Sequence, residues 1–378
     1  MNELKLFIVE DDITLRESYT KQIKIFNLEQ QDVLVIESFA NDLDRAVEIL
    51  LTNIAFDAAI IDLKLGNEDI SYKGNQVVDL IRNNLRFPTF VLTANPEMIE
   101  KEKGNENDLF KVKVKGTQGA VFLTILEELK KIHLTGITKI LGKSGQIESY
   151  LNKIFWNHLT SSIDIWALDN TRTPKQKEKS LLRYTLSHIQ EHLELTEESN
   201  FENYHPAEIY IIPPVKPYVF TGDIVKEKSN GEISIVLTPS CDLAQTKAKD
   251  ILISKIELDN EGLLYESTNI IKKGTSEQKI IELNKEILLQ LIKNNYSNKY
   301  HFLPRYKGLN SGLINFQKVK SIRIKDFNKD FIRIASINSN FTKDIVARFS
   351  YYYSRQGSPD FNVDEIYNSL FTHSSTNQ

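Results

Sequence analysis

Hydrophobic and polar positions follow three different rhythms along this chain of 378 residues. In the first third, short apolar runs take turns with longer stretches whose apolar residues recur every three or four positions. The short runs are Leu4 to Val9, Val33 to Ser38, Phe56 to Ile61, Thr89 to Leu92 and Leu109 to Val114. The third is too short for a helix and apolar on both faces, which suits a strand buried in a parallel sheet. Between the runs, Leu15, Tyr19, Ile23 and Phe26, then Leu43, Val47 and Leu50, then Val77, Val78, Leu80 and Ile81 each mark one face of a helix. Phe122, Ile125, Leu126, Leu129 and Ile132 mark a closing one. Parallel strands need crossover helices, so this alternation predicts a doubly wound, five-stranded parallel sheet. Pro96 to Asp108 has few apolar residues and is interrupted by Gly104 and Asn105, which predicts a short or irregular helix.

The second rhythm is purely helical. Gly136, Gly142 and Gly145 predict a linker or hinge near 135 to 145. One apolar stripe then runs through Ile147, Tyr150, Leu151, Ile154, Phe155 and Leu159, and a second through Leu181, Leu182, Tyr184, Leu186, Ile189 and Leu193. Such faces either cover a neighbouring domain, the reading preferred here, or serve dimerisation or docking. From Ala207 the pattern turns to short β segments: Glu208 to Ile212, Gly222 to Lys226, Glu232 to Leu237, Ile251 to Leu258, Lys318 to Ile324 and Phe331 to Ile337. Helices are expected over Lys285 to Lys293 and Thr342 to Tyr353, and a disordered polar tail over Thr372 to Gln378. The expected organisation is an α/β domain over 1–134, a linker and helical region over 135–200, and a β-rich α+β domain, barrel-like in outline, over 201–378.

Chemistry gathers at the strand ends of the first third. Glu10, Asp11 and Asp12 follow the first strand, Asp62 the third and Thr93 the fourth, while Lys111, Lys113 and Lys115 stand on or after the fifth. Taken alone, Asp62 reads as a cap for the loop behind it. In an open α/β sheet, however, the carboxyl ends of the strands come together, and that is where such folds carry chemistry. Carboxylates meeting at one point need a cation, and hard oxygen donors with room for water suit Mg²⁺. A metal-bound carboxylate beside a hydroxyl and an ammonium can take a phosphoryl group.

With these residues in place, the stretch 1 to about 134 resembles the receiver domain of two-component response regulators. Ile8-Val9-Glu10-Asp11-Asp12 with Leu15-Arg16-Glu17 resembles the opening motif, Ile60-Ile61-Asp62-Leu63-Lys64-Leu65 the phosphoacceptor motif, and Val91-Leu92-Thr93-Ala94 the switch-threonine motif. The resemblance implies a flavodoxin-like fold and phosphorylation of Asp62 by a partner sensor histidine kinase. Mg²⁺ would be held by Glu10, Asp11 and Asp62, with the Lys64 carbonyl as a further ligand, and Thr93 would bind the phosphoryl oxygens. The family's lysine is usually followed by Pro, and no Pro follows any lysine here. Lys113 is preferred for that role, because Phe110 three residues before it would then be the aromatic switch; Lys115 is the competitor. The loop from Asp62 to Gly74 is longer than usual, with Asn67, Glu68, Asp69 and Tyr72 inserted.

In the C-terminal part, Leu237-Thr-Pro-Ser-Cys-Asp-Leu243, Tyr300-His-Phe-Leu-Pro304 and Arg348-Phe-Ser-Tyr-Tyr352 are similar to modules carried by receiver-bearing regulators of bacterial anti-phage operons, the Detocs-type defensive two-component systems. That resemblance implies a regulator or phosphate sink in a phosphorelay, acting with other receiver or effector proteins. The alternative is a receiver-gated effector enzyme with its site around Cys241, activated by His205 or Asp242. Against it, Cys241 also reads as a small buried hydrophobe beside a capping Asp.

Composition narrows the field further. A net charge of −4 gives no general attraction to nucleic acid, and no helix-turn-helix carries a basic recognition face, so output through DNA is disfavoured. The single cysteine, Cys241, fits a reducing compartment. No run is long enough to cross a membrane, and Met1 to Glu10 lacks the form of a signal peptide, so a cytoplasmic protein is expected.

Overall fold

The computed structural model describes residues 2–52, 54–66, 72–99, 106–116, 120–194, 203–274, 277–355 and 360–372. They fall into two compact units, Met1–Phe201 and Glu202–Gln378.

The first unit is built on β1 (Asn2–Val9), β2 (Val33–Ala40), β3 (Ala58–Ile61), β4 (Thr89–Thr93) and β5 (Phe110–Val114). They form one all-parallel sheet in the order β2-β1-β3-β4-β5, the flavodoxin-like order. The two-sided apolarity of the strands has a direct cause, since successive residues of β1 feed opposite cores. Leu4, Leu6 and Ile8 pack against α1 (Ile13–Glu29) and α4 (Ala120–His133). Phe7 and Val9 face α2 (Leu43–Leu51) and α3 (Gly74–Asn84) on the other side. Between β4 and β5 lies a single 3₁₀ turn, Pro96–Met98. The rest of the expected short helix, residues 100–105, lies outside the described residues, as do Asn67, Glu68 and Asp69 of the long loop.

The stretch after α4 stays against the base of this sheet. In α5 (Ile137–Leu141), Thr138 donates to Asp57 Oδ1 at 2.7 Å, and Arg86 Nε donates to the Leu141 carbonyl at 2.6 Å. Arg86 also meets Glu148 of α6 (Gln146–Ile154) at 3.3 Å. A π-helical turn, Phe155–Leu159, then leads to α7 (Ile163–Leu168) and the long α8 (Pro174–Glu194). Of the second stripe, Leu182, Leu186 and Leu193 are exposed.

The second unit contains a seven-stranded antiparallel sheet. Its strands are β6 (Tyr210–Ile211), β7 (Asp223–Glu227), β8 (Ile233–Val236), β9 (Asp250–Leu258), β10 (Tyr300–Leu303), β11 (Gly312–Arg323) and β12 (Phe331–Ile337), in the order β10-β11-β9-β8-β7-β12-β6. The sheet curls, for the Tyr210 hydroxyl on one edge strand donates to the Pro304 carbonyl, just past the other edge strand, at 2.6 Å. Ile224, Ile235, Ile256, Ile314 and Phe316 fill one face together with Ile345 of α13 (Ser339–Ser354). Val225, Val236, Ile251 and Ile253 fill the other, under Leu243 of the short α9 (Ser240–Ala244) and Phe327 of α12 (Ile324–Asp330). A smaller cluster, Leu264, Leu291 and Leu313, joins α10 (Gly262–Lys273) and α11 (Gln278–Ile292) to the sheet. Asp223, fully buried, accepts from Arg333 Nε at 2.7 Å and from Ser336 Oγ at 2.5 Å, which ties β7 to β12. The last element is α14 (Val363–Thr372), and residues 373–378 lie outside the described residues.

Candidate functional site

Four strands of the parallel sheet end on a chemically active side chain. Glu10 follows β1, Asp62 follows β3, Thr93 closes β4 and Lys115 follows β5. The ladder continues past three of these ends: the amides of Glu10, Asp62 and Lys115 donate to the carbonyls of Ala40, Val9 and Thr93 at 3.0, 2.9 and 2.8 Å. The sheet itself therefore positions these residues, and a rigid scaffold holds a site more tightly than a free loop does.

Lys115 Nζ closes the group, 2.6 Å from Asp62 Oδ2 and 2.7 Å from Glu10 Oε2. Glu10 and Asp62 are buried, and one oxygen from each of Glu10, Asp11 and Asp62 lies within 4.8 Å of the others. Asp11 Oδ2 accepts the Gly66 amide at 2.8 Å, across a turn in which Gly66 takes a φ of +92° that glycine adopts without strain. Asp12 turns to another task. It caps α1 by accepting the amides of Thr14 and Leu15 at 2.7 and 3.3 Å. Tyr19, stacked on Phe122, reaches Glu10 Oε2 with its hydroxyl at 3.4 Å. Thr93 is fully buried, and its hydroxyl accepts the Asn95 amide at 3.3 Å.

Burial pushes the Glu10 carboxyl up, against the pull of Lys115. Burial also works to lower Lys115, but the Asp62 and Glu10 carboxylates outweigh it and hold the ammonium above its ordinary range. The two directions agree physically: one ammonium shared by two buried carboxylates stays charged but does not fully compensate both. Burial, then the charges of Glu10 and Asp62, drives the Tyr19 phenol up, so it remains a neutral donor.

The donor set fits Mg²⁺. Glu10, Asp11 and Asp62 offer only hard oxygens, and opposite ligands of an octahedral Mg²⁺ stand about 4 Å apart. A trio of oxygens within 4.8 Å closes on such an ion with small adjustments.

The lysine assignment is corrected. Lys113 Nζ donates to Glu128 Oε1 at 3.0 Å, as Lys111 does to Glu128 Oε2 at 2.7 Å, and both are thereby held along α4. Lys115, the first residue past β5, is the one that reaches the carboxylates. The position three residues before it is Val112, so the aromatic switch inferred for Phe110 goes with Lys113. Phe110 is instead buried beneath the Arg82 guanidinium, 4.9 Å from its ring. The pattern held a usable signal, because Lys115 has the same place after its strand as Glu10 and Asp62 have after theirs.

Gly74 packs against the acidic loop more closely than the sequence disclosed. A Cβ there would lie 2.1 Å from the Asp62 carbonyl oxygen and 2.6 Å from Leu63 Cα. Only glycine lets α3 start this close to the acidic loop.

In the second unit, two of the three motifs meet and the third stands apart. His301 Nδ1 lies 3.4 Å from Asp344 Oδ2 without a hydrogen bond to it, and Asp344 Oδ2 accepts from Arg348 Nε at 3.0 Å. Cys241 is exposed, which corrects its reading as a buried hydrophobe, and its Sγ faces Asp242 Oδ1 at 3.6 Å. An anionic neighbour gives a thiolate no compensating charge. His205 is occupied in capping the turn Pro206–Ile209, where its Nδ1 accepts the Ala207 amide. A cavity of about 980 Å³ beside this motif is lined by Leu237, Val346 and Phe349 with Lys216 and Lys343, which supplies no acid–base pair for a nucleophile.

No protein-family model matches the chain, and no curated protein matches it. Among the described residues, no helix is long and apolar enough to cross a membrane. Solved structures similar to the chain include response regulator receiver domains. The N-terminal domain of a response regulator, sensory box and GGDEF protein from Carboxydothermus hydrogenoformans is 20% identical over 35% of this chain and 98% of its own, with a TM-score of 0.29. A receiver domain protein from Methanospirillum hungatei is 15% identical over 36% and 100%, with a TM-score of 0.28. The N-terminal receiver domain of Klebsiella pneumoniae RstA is 24% identical over 33% and 98%, with a TM-score of 0.25.

Proposed function

We propose that the protein is a phosphorylation-controlled regulator whose first unit accepts a phosphoryl group on Asp62 from a partner histidine kinase. One observation carries this reading: Lys115 bridges Asp62 and Glu10 at 2.6 and 2.7 Å, within a trio of carboxylates at the strand ends of a flavodoxin-like sheet. In the transfer, an Asp62 carboxylate oxygen attacks the phosphorus of a phosphorylated imidazole. An O–P bond forms, the P–N bond breaks, and its electron pair returns to the imidazole nitrogen. Bound Mg²⁺ supplies charge neutralisation for the phosphoryl oxygens, and Glu10, Asp11 and Asp62 would hold it. Lys115 places its ammonium on the reacting carboxylate, and Thr93 offers a hydroxyl at the end of the neighbouring strand.

The finer reading follows from the C-terminal motifs. The protein acts without DNA binding, as a regulator or phosphate sink in a defensive two-component system, in the cytoplasm, alongside a second receiver served by the same kinase.

Phosphoryl uptake with Mg²⁺ from acetyl phosphate, or from a phosphorylated kinase, tests the core of the proposal. Asp62→Asn is expected to abolish uptake, and unchanged uptake would overturn the assignment. For the sink reading, Asp62→Asn should raise phosphorylation of a second receiver fed by the same kinase.

A further inference from the structure

We infer that His158, His188 and His192 form a transition-metal site on the helical part of the first unit, separate from the acidic cluster and with one coordination position open. His188 and His192 are four residues apart on α8, which puts both imidazoles on one side of that helix. His158 comes from the π-helical turn Phe155–Leu159. Its ring lies 4.9 Å from that of His188 and 6.1 Å from that of His192, centroid to centroid. In a tetrahedral zinc site with Zn–N distances of about 2.0–2.1 Å, imidazole centroids stand roughly 5 Å apart, so His158 and His188 already have the spacing of ligands, while His192 stands farther from His158.

Orientation and sequence point the same way. His188 Nδ1 lies 2.9 Å from the Tyr184 carbonyl, which can only accept, so Nδ1 carries the proton and Nε2 keeps its lone pair for a metal. Metal-bound histidines usually have such a carbonyl or carboxylate behind them. The stretch reads His188-Ile-Gln-Glu-His192, the H-x-x-E-H spacing of a zinc motif, and His158 supplies the third nitrogen that spacing alone cannot. An isolated π-turn often marks a functional position, and here it carries a ligand. The rings pack on one another, His158 tilted 58° to His188, and do not converge within 4.8 Å as the carboxylates do. Turning the rings towards a common point is the adjustment that binding requires. Imidazole nitrogens favour Zn²⁺ and its neighbours over Mg²⁺, which separates this site chemically from the carboxylate trio.

The test uses the full chain, stripped of metal and titrated with Zn²⁺ against a chromophoric chelator in saturating Mg²⁺. It is repeated with Asp62→Asn to remove uptake at the acidic cluster. One equivalent of Zn²⁺ is expected in both proteins, and Co²⁺ should give the visible absorption of a tetrahedral ion. His158→Gln should weaken binding by more than the roughly 10–100-fold typical of losing an outer-shell partner, and the double variant His188→Gln with His192→Gln should abolish it. His205→Gln should change nothing. If the native protein takes up no Zn²⁺, or if uptake survives the histidine substitutions, the inference is overturned. Circular dichroism of each variant separates loss of ligand from loss of fold.

Discussion

Lys115 sets the charge balance of the acidic pocket. Against Glu10, Asp11 and Asp62 it leaves two net negative charges, the amount one divalent cation removes. Lys115→Ala should therefore leave Asp62 without its ammonium and slow phosphoryl uptake by about 10²–10³, the usual cost of losing one charge-stabilising donor. Lys113→Ala should leave uptake near the unsubstituted rate, since Lys113 serves Glu128. Stopped-flow or gel-based phosphorylation of the two variants checks the pair. The gathering of Glu10, Asp11 and Asp62 was legible from sequence because the acids come at the ends of apolar strands. The lysine was not, because a spacing rule for an aromatic partner overrode the simpler rule of the strand end. His301 offers a second prediction at this scale. Burial depresses its pKa from 6.5 to about 4, with Asp344 pulling it up and Arg348 pushing it down. The folded state keeps the ring neutral while the unfolded chain takes up a proton below pH 6.5. Stability is therefore full above that pH and falls as the pH drops from 6.5 towards 4, by up to about 3 kcal/mol. Urea unfolding of His301→Gln beside the native protein should show a flatter pH dependence over that window.

Among the elements, α3 shows how a helix start constrains a site twelve residues before it in sequence. Gly74 donates its amide to the Leu63 carbonyl at 3.0 Å, and its Cα sits where any Cβ would strike the Asp62 carbonyl. Gly74→Ala must push the 62–66 loop and α3 apart, at a cost of roughly 2–4 kcal/mol, and should lower phosphoryl uptake although no charge changes. Thermal unfolding and uptake measured on one preparation would detect both effects; an unaltered midpoint would mean that the loop yields freely. Periodicity in the sequence reports the helix face of Val77, Val78 and Ile81 but not what the first turn touches. Elements of the second unit divide in the same way. β9 and β12 were readable as apolar runs, whereas β11 begins six residues before the segment expected from its pattern. Its register shifts between Ile314 and Val319, and an irregularity of that kind breaks the alternation a strand would otherwise display. α10 and the short β10 were missed because half-polar segments acquire their structure from the Leu264, Leu291 and Leu313 contacts, which lie far apart in sequence.

For the molecule as a whole, the two units carry separate hydrophobic cores, and each has its own titratable or ligand-binding handle. The acidic trio belongs to the first and His301 to the second. A ligand that binds only the folded form of one unit stabilises that unit by RT ln(1 + [L]/Kd), and the other responds only through a shared interface. Calorimetric unfolding is therefore expected to resolve two transitions. Mg²⁺ at about one hundred times its Kd should raise one of them by roughly 2.7 kcal/mol of stability. Asp62→Asn should blunt that response, while His301→Gln at pH 5 should move only the other transition. If Mg²⁺ shifts both transitions equally in the native protein and neither in Asp62→Asn, then the units are energetically coupled, and a charge change at Asp62 has a direct energetic route to the C-terminal motifs. Independent shifts would instead require any output from Asp62 to travel through a partner that contacts both units.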